Sequence, residues 1–268
     1  MIPRYLVPIL SALACTLATT THAGDINECS IVVEGRAELI IFDARRANDT
    51  KVELTGILAG PDGDGPFPAV VILAGSRRLY TPLCYRVMVD LLTTWGFVTL
   101  FVTPTTAHDG EGNKLFQFNL DDLSRYGHDA ALAAANLSKV DPARIVLWGH
   151  SRGGASAIDV ASGFGGRSQI PYRTAVAVAP YPGCRKNARP AIPLLVLNGA
   201  EDKVSNPNWC ADFAEHAKGT SGFEFYVLAD AGHDVFWTPK GRALLKSFLD
   251  ERMTLMTPLS PGSSSANL

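Results

Sequence analysis

Residues 144–154 read RIVLWGHSRGG, and they put a serine where a serine can act as a nucleophile. The apolar run Ile145-Val146-Leu147-Trp148 suits a strand buried on both faces. The chain then breaks at Gly149, passes through His150-Ser151-Arg152-Gly153-Gly154 and enters an alanine-rich stretch, 155–161, that favours a helix. Strand, G-x-S-x-G and helix in that order make a nucleophile elbow. A serine on so sharp a turn is held in a strained backbone conformation, and a side chain at Gly149 or Gly153 would strike the neighbouring strand or helix. The turn lifts Ser151 Oγ clear of the sheet. It also aims a helix N-terminus at the reacting carbon, where partial positive charge favours an oxyanion. Without its flanks, the same pattern reads as a structural turn.

A serine hydroxyl is a poor nucleophile at neutral pH, so it needs a general base and a group that orients that base. In a sheet of this kind such groups gather beyond the carboxyl ends of the strands. They follow the serine in the order acid, then histidine. Residues 194–202, LLVLNGAED, are a strand that ends in two acids, and 225–233, FYVLADAGH, are a strand that ends in a histidine. Asp202 is preferred to Glu201 for its position and shorter reach. His233 is the expected base, being the one histidine after the last strand, with His216 as the reserve candidate. His108 and His128 precede the serine. His150, inside the elbow, reads as structural, as do the nearby turn acids Asp230 and Asp234. Two oxyanion donors are expected, the backbone N–H of Arg152 and that of Ser76 in the loop after strand 69–73.

Substrate-contact candidates are fewer. Arg77, Arg78 and Arg152 lie where they would favour an acidic substrate, or they are solvated or structurally paired. Phe116, Phe118, Tyr181 and Trp237 fall in segments able to line an acyl or alcohol pocket, or they are core. No C-x-x-C or Cys/His spacing points to zinc, and no metal or cofactor is expected.

The elements that must position these groups alternate. Residues 31–45 and 51–58 read as an antiparallel hairpin, and 69–73, 97–102, 174–179, 193–197 and 223–228 as further strands. Helical patterns cover 82–95 (stopping at Gly96), 120–137, 208–217 and 241–253. Residues 103–119 read as an irregular site-bordering loop. Buried strands alternating with helices predict an α/β fold: a mostly parallel central sheet with helices on both faces.

The 268 residues are 47% hydrophobic and 19% charged, which suits one well-packed domain. A formal net charge of −2 gives no electrostatic case for nucleic acid or anionic membrane. Arg4, the apolar run 6–18 and Thr21-His22-Ala23 read as a signal peptide cut after Ala23. Cys15 admits a lipoprotein reading, but Ala12 stands where a lipobox wants Leu. The division is thus 1–23 signal peptide, 24–256 one domain and 257–268 a Pro/Ser/Gly-rich tail, with a secreted or periplasmic destination and no stable membrane insertion. Four cysteines remain after cleavage: Cys29, Cys84, Cys184 and Cys210. In an oxidising compartment they suggest two disulfides out of three possible pairings. Cys184 and Cys210 flank strand 193–197, which favours that pair and leaves Cys29 with Cys84. Buried free thiols are the alternative.

Ala74-Gly75-Ser76, Gly149-His150-Ser151-Arg152-Gly153-Gly154, Asn198-Gly199-Ala200-Glu201-Asp202 and Ala231-Gly232-His233 together resemble the α/β-hydrolase superfamily. The chain looks most like its dienelactone-hydrolase-like branch, over nearly the whole of residues 31–253. The resemblance implies an α/β-hydrolase fold, with Ser151 as nucleophile, Asp202 as acid, His233 as base, and carboxylic-ester hydrolysis through an acyl-enzyme. It departs from the pattern twice. Dienelactone enzymes proper use a cysteine nucleophile, and related hydrolases usually carry His where Ala74 stands. The expectation is therefore an exported serine hydrolase of small or medium esters. The alternatives are a peptidase or acyltransferase using the same site, and a non-catalytic binding protein on the same fold.

Overall fold

Strands without a polar face need cover on both sides, and that requirement builds this molecule. A computed structural model describes residues 6–8, 37–75, 82–108, 118–164 and 171–254. In it the central strands β4 (Phe67–Leu73), β6 (Val140–His150), β7 (Thr174–Val178) and β8 (Leu194–Gly199) are buried over most or all of their length. On one face pack α2 (Leu120–Ala135), α3 (Arg152–Ala161) and α4 (Ala211–Ala217), through Leu123, Tyr126, Ile158 and Phe213. On the other pack α1 (Pro82–Thr94) and α5 (Pro239–Thr254), through Met88, Leu92, Leu245 and Phe248. With β1 (Leu6–Pro8), β2 (Glu38–Arg45), β3 (Lys51–Ala59), β5 (Val98–His108) and β9 (Phe223–Leu228), the sheet order is β1-β2-β3-β5-β4-β6-β7-β8-β9. Strands β5, β4, β6, β7, β8 and β9 run parallel, while β1, β2 and β3 form the antiparallel edge. The expected α/β architecture is borne out.

The β2–β3 hairpin is fastened to α2 by two buried acids, Asp129, which accepts from the Arg45 amide at 2.8 Å, and Asp122. Asp122 accepts from the Arg46 guanidinium and from the Ala47 amide, each at 2.8 Å, and from the Asn119 amide at 3.2 Å. Burial alone would raise its pKa, but the hydrogen bonds from Arg46, Ala47 and Asn119 outweigh burial and hold it below the ordinary carboxylate value. Asn119 and Asp122 form a capping box, so the same acid fixes where α2 begins.

Two local expectations change, and one short strand was not expected. Residues 103–108 continue β5 rather than forming loop, because the nine-residue β3 supplies a pairing edge out to Glu53↔His108. The helix expected over 208–217 is split into a 3-10 turn, Pro207–Cys210, and α4, since Asn206 caps the turn and Pro207 starts it. Leu6–Pro8, inside the expected signal peptide, pairs with β2 as a three-residue edge strand. Gly96 ends α1 at φ +89°, as its place after the helical pattern requires. Among the described residues no helix is long and apolar enough to cross a membrane.

Candidate active site

The parallel strands bring three segments to one rim of the sheet. Ser151 directly follows β6, Asp202 lies three residues beyond β8, and His233 lies five beyond β9. Ser151 has φ +58° and ψ −118°, a conformation that few non-glycine residues adopt and the one an elbow demands. The glycines on either side leave no alternative. A Cβ on Gly149 would stand 2.0 Å from the Gly153 carbonyl oxygen, and one on Gly153 would stand 2.0 Å from that of Leu73 in β4. Register does the rest. Leu73 pairs with Gly149, so Gly75 comes to lie beside Ser151, where an added Cβ would be 3.3 Å from Oγ. The loop expected to carry an oxyanion donor therefore reaches the nucleophile. Ser76 itself, with Arg77, Arg78 and Phe116, lies outside the described residues, as do Cys29 and the Cys84 side chain.

Asp202 is the acid that meets the histidine. His233 Nδ1–H donates to its Oδ2 at 2.8 Å, while the amides of Val204 and Ser205 donate to Oδ1 at 2.7 and 2.8 Å. The carboxylate side chain is wholly buried and that of His233 is nearly so. Because a carboxylate only accepts, Nδ1 carries the proton and Nε2 presents its lone pair. Gly199 permits the approach. A Cβ there would lie 2.2 Å from the carbonyl oxygens of both Ala231 and Gly232, so any side chain would push the histidine loop away from β8. Glu201 is exposed and uses its amide to hold Ala231 in place, at 2.9 Å. His216 is exposed on α4 and accepts from Arg189.

One connection was not expected from the sequence. His150 is fully buried, and its Nε2–H donates to the His233 backbone carbonyl at 3.2 Å, with ring centroids 4.7 Å apart. Burial, reinforced by the His233 ring, lowers its pKa to about 3, so the imidazole is neutral and can donate. Phe236 and Trp148 pack edge-on and stacked against it. The residue before the nucleophile thus fastens the elbow to the histidine loop. Its one sequence signal was a polar residue ending a strand that is otherwise buried.

Other candidates separate. The Arg152 guanidinium donates to the Phe118 carbonyl at 2.8 Å and lies 5.1 Å from the centroid of the Phe118 ring, so it braces the elbow against the start of α2. Burial lowers its pKa from the ordinary guanidinium value. Its backbone, the first residue of α3, stands next to Ser151 as expected. Trp237, half-buried, packs against Phe236 at the edge of the core, with Arg242 across its ring. Tyr181 is 38% exposed, and its amide donates to the Ser151 carbonyl at 3.0 Å. Cys184 and Cys210 are bonded, with Cα atoms 4.8 Å apart. Among the described residues no group of three His, Cys, Asp or Glu side chains is arranged to hold a metal ion.

No protein-family model matches the chain, and no curated protein matches it. Solved structures do. An esterase from the planctomycete Thermogutta terrifontis superposes with TM-score 0.61 at 16% identity, covering 82% of this chain and 94% of its own. A Klebsiella pneumoniae protein assigned as a dienelactone hydrolase gives 0.57 at 16% identity, over 80% and 99%. Dipeptidyl peptidase 4 of Porphyromonas gingivalis gives 0.58 at 19% identity, over 80% of this chain and 35% of that one. At these identities the likeness is one of architecture. The molecule has the α/β-hydrolase fold, and the resemblance first read from four short motifs is borne out at that level.

Proposed function

We propose that this chain is an exported serine hydrolase that cleaves carboxylic esters with Ser151, His233 and Asp202. The observation that carries the reading is the buried Asp202–His233 pair, standing at the rim where the strained elbow presents Ser151. His233 Nε2 takes the Ser151 proton as Oγ attacks the ester carbon, and the alcohol leaves with that proton. Water then enters, losing a proton to the same nitrogen, and the acid and free serine are released. Asp202 holds the tautomer throughout and stabilises the imidazolium. The amides of Arg152 and Ser76 receive the oxyanion; a single such donor is worth about 3–4 kcal/mol. Among the described residues no hydrogen bond joins Ser151 to His233, and such contacts commonly tighten only when substrate arrives.

The Cys184–Cys210 disulfide, a bond that persists in oxidising compartments, and the leader-like residues 1–23 support export. A second reading, peptide-bond cleavage by the same residues, draws on the peptidase of like architecture. Fluorophosphonate labelling tests the nucleophile: covalent capture by the native chain, abolished in Ser151→Ala, is the expected result. An unlabelled native chain would favour a binding protein on the same fold.

A further inference from the structure

An open cavity of about 540 Å³ lies against the nucleophile helix. Ala155 and Asp159 of α3 line it, four and eight residues after Ser151 and hence on the same stripe of the helix. Ala155, at its near end, thus follows the nucleophile by one helical turn, about 5.4 Å of rise. Its opposite walls are residues 182–186 and the segment that carries Asn208, Trp209 and Asp212.

Every charge named in this lining has a partner. Arg185 binds Asp159 through Nε and an Nη at 3.0 and 3.3 Å, and it is held from behind by the Phe164 ring at 4.4 Å. Lys186 binds Asp212 at 2.7 Å. Two cations and two carboxylates cancel, so the walls offer donors and acceptors with no preferred sign. An anionic substrate would want an unpaired cation, and a long acyl chain would want a dry apolar lining; this cavity has neither. What it has besides polar groups is aromatic surface. Trp209 is 45% exposed and Tyr181, at the edge of the lining, is 38% exposed, with ring centroids 6.1 Å apart. Flat apolar faces beside neutralised hydrogen-bonding groups match a ligand that is itself both: a sugar ring, with C–H faces and hydroxyl edges. The Cys184–Cys210 bond joins the two walls opposite α3, so the shape is set before any ligand enters.

We propose that this cavity is the alcohol-side subsite for a neutral carbohydrate, so that the substrate is a carbohydrate ester; this rests on Ser151 being an ester-cleaving nucleophile. In the reaction the sugar hydroxyl leaves with the proton from His233, and water supplies the oxygen and proton that complete the carboxylic acid and restore the serine.

Two acetates of primary alcohols test it, methyl 6-O-acetylglucoside and ethyl acetate, which share the acyl group and differ in the ring. The expected kcat/KM for the sugar ester exceeds that for ethyl acetate by about tenfold or more, equivalent to about 1.4 kcal/mol. Trp209→Ala should bring the two within about twofold, and Trp209→Phe, which keeps an aromatic face, should restore most of the difference. Melting temperatures of both variants check that they are folded. A ratio near one in the native chain, or one that Trp209→Ala leaves unchanged, overturns the sugar subsite while leaving ester hydrolysis in place. If neither acetate is cleaved and the fluorophosphonate fails to label Ser151, the hydrolase reading itself falls, and the subsite with it.

Discussion

Replacing Asp202 by asparagine changes one atom type in a buried site where three donors already converge on the carboxylate. Two backbone amides, of Val204 and Ser205, converge on Oδ1 at 2.7 and 2.8 Å, and His233 meets Oδ2 at 2.8 Å. An amide has one oxygen and one NH2. Turning the NH2 toward Val204 and Ser205 would leave donors facing donors in a buried place, at about 1–3 kcal/mol for each unsatisfied group. The oxygen therefore stays at the Oδ1 position and the NH2 faces His233. The imidazole then accepts at Nδ1 and carries its proton on Nε2, where it cannot take one from Ser151. Geometry survives and function does not. The expected loss in kcat on p-nitrophenyl acetate is about 10⁴-fold, or about 5.5 kcal/mol of transition-state stabilisation. Exchanging charge-assisted for neutral hydrogen bonds removes about 1–3 kcal/mol of stability, or a few degrees of melting temperature at this chain length. Steady-state kinetics and a thermal melt on the same preparation read both. A folded Asp202→Asn protein turning over within about tenfold of the native rate refutes the assignment of Asp202 as the orienting acid.

Two further predictions concern stability. His150 has a pKa of about 3 in the folded chain against about 6.5 unfolded, so between those values the unfolded chain binds a proton that the folded one does not. Its contribution is complete above about pH 6.5 and is lost as pH falls toward 3, at about 1.4 kcal/mol per unit. Urea unfolding should therefore show a loss between pH 7 and pH 5 that is about 2 kcal/mol larger in the native chain than in His150→Gln, and parallel profiles would refute it. The Cys184–Cys210 bond closes a 26-residue separation. Loop-closure entropy assigns it about 3.5 kcal/mol, so the double alanine variant should melt about 7–14 °C lower. An unchanged melting temperature contradicts that.

The parts of the site legible in the sequence are those set by neighbours along the chain. Residues 145–154 show strand, turn and helix at once, because the tight turn forces glycine at 149 against Gly153 and at 153 against β4, and both needs leave their mark in residue type. The strand ends that carry Asp202 and His233 were legible for the same reason; the Cys184–Cys210 pairing, one of three possible, was favoured only by the order of elements around it. Sequence position and reach favoured Asp202 over Glu201, and the space around them shows which carboxylate meets two amides and an imidazole. Residues 103–108 looked irregular because their order comes from pairing with β3, some fifty positions away, and not from any periodicity of their own. Arg152 carried chemistry suited to substrate, yet a partner remote in sequence, Phe118, claims its side chain. The cavity was invisible for that reason too: its walls come from four separate stretches of chain, and no one stretch contains its shape.

The bond between Cys184 and Cys210 joins the two walls of that hollow and touches none of the three residues that would break an ester. Reactivity and choosiness are thus anchored differently, one in the hydrogen-bonded skeleton of the strands, the other in a covalent tie made after synthesis. On the proposed function, a molecule that folded without oxidant should go on attacking simple acetates while ceasing to favour the partners that a rigid recess selects.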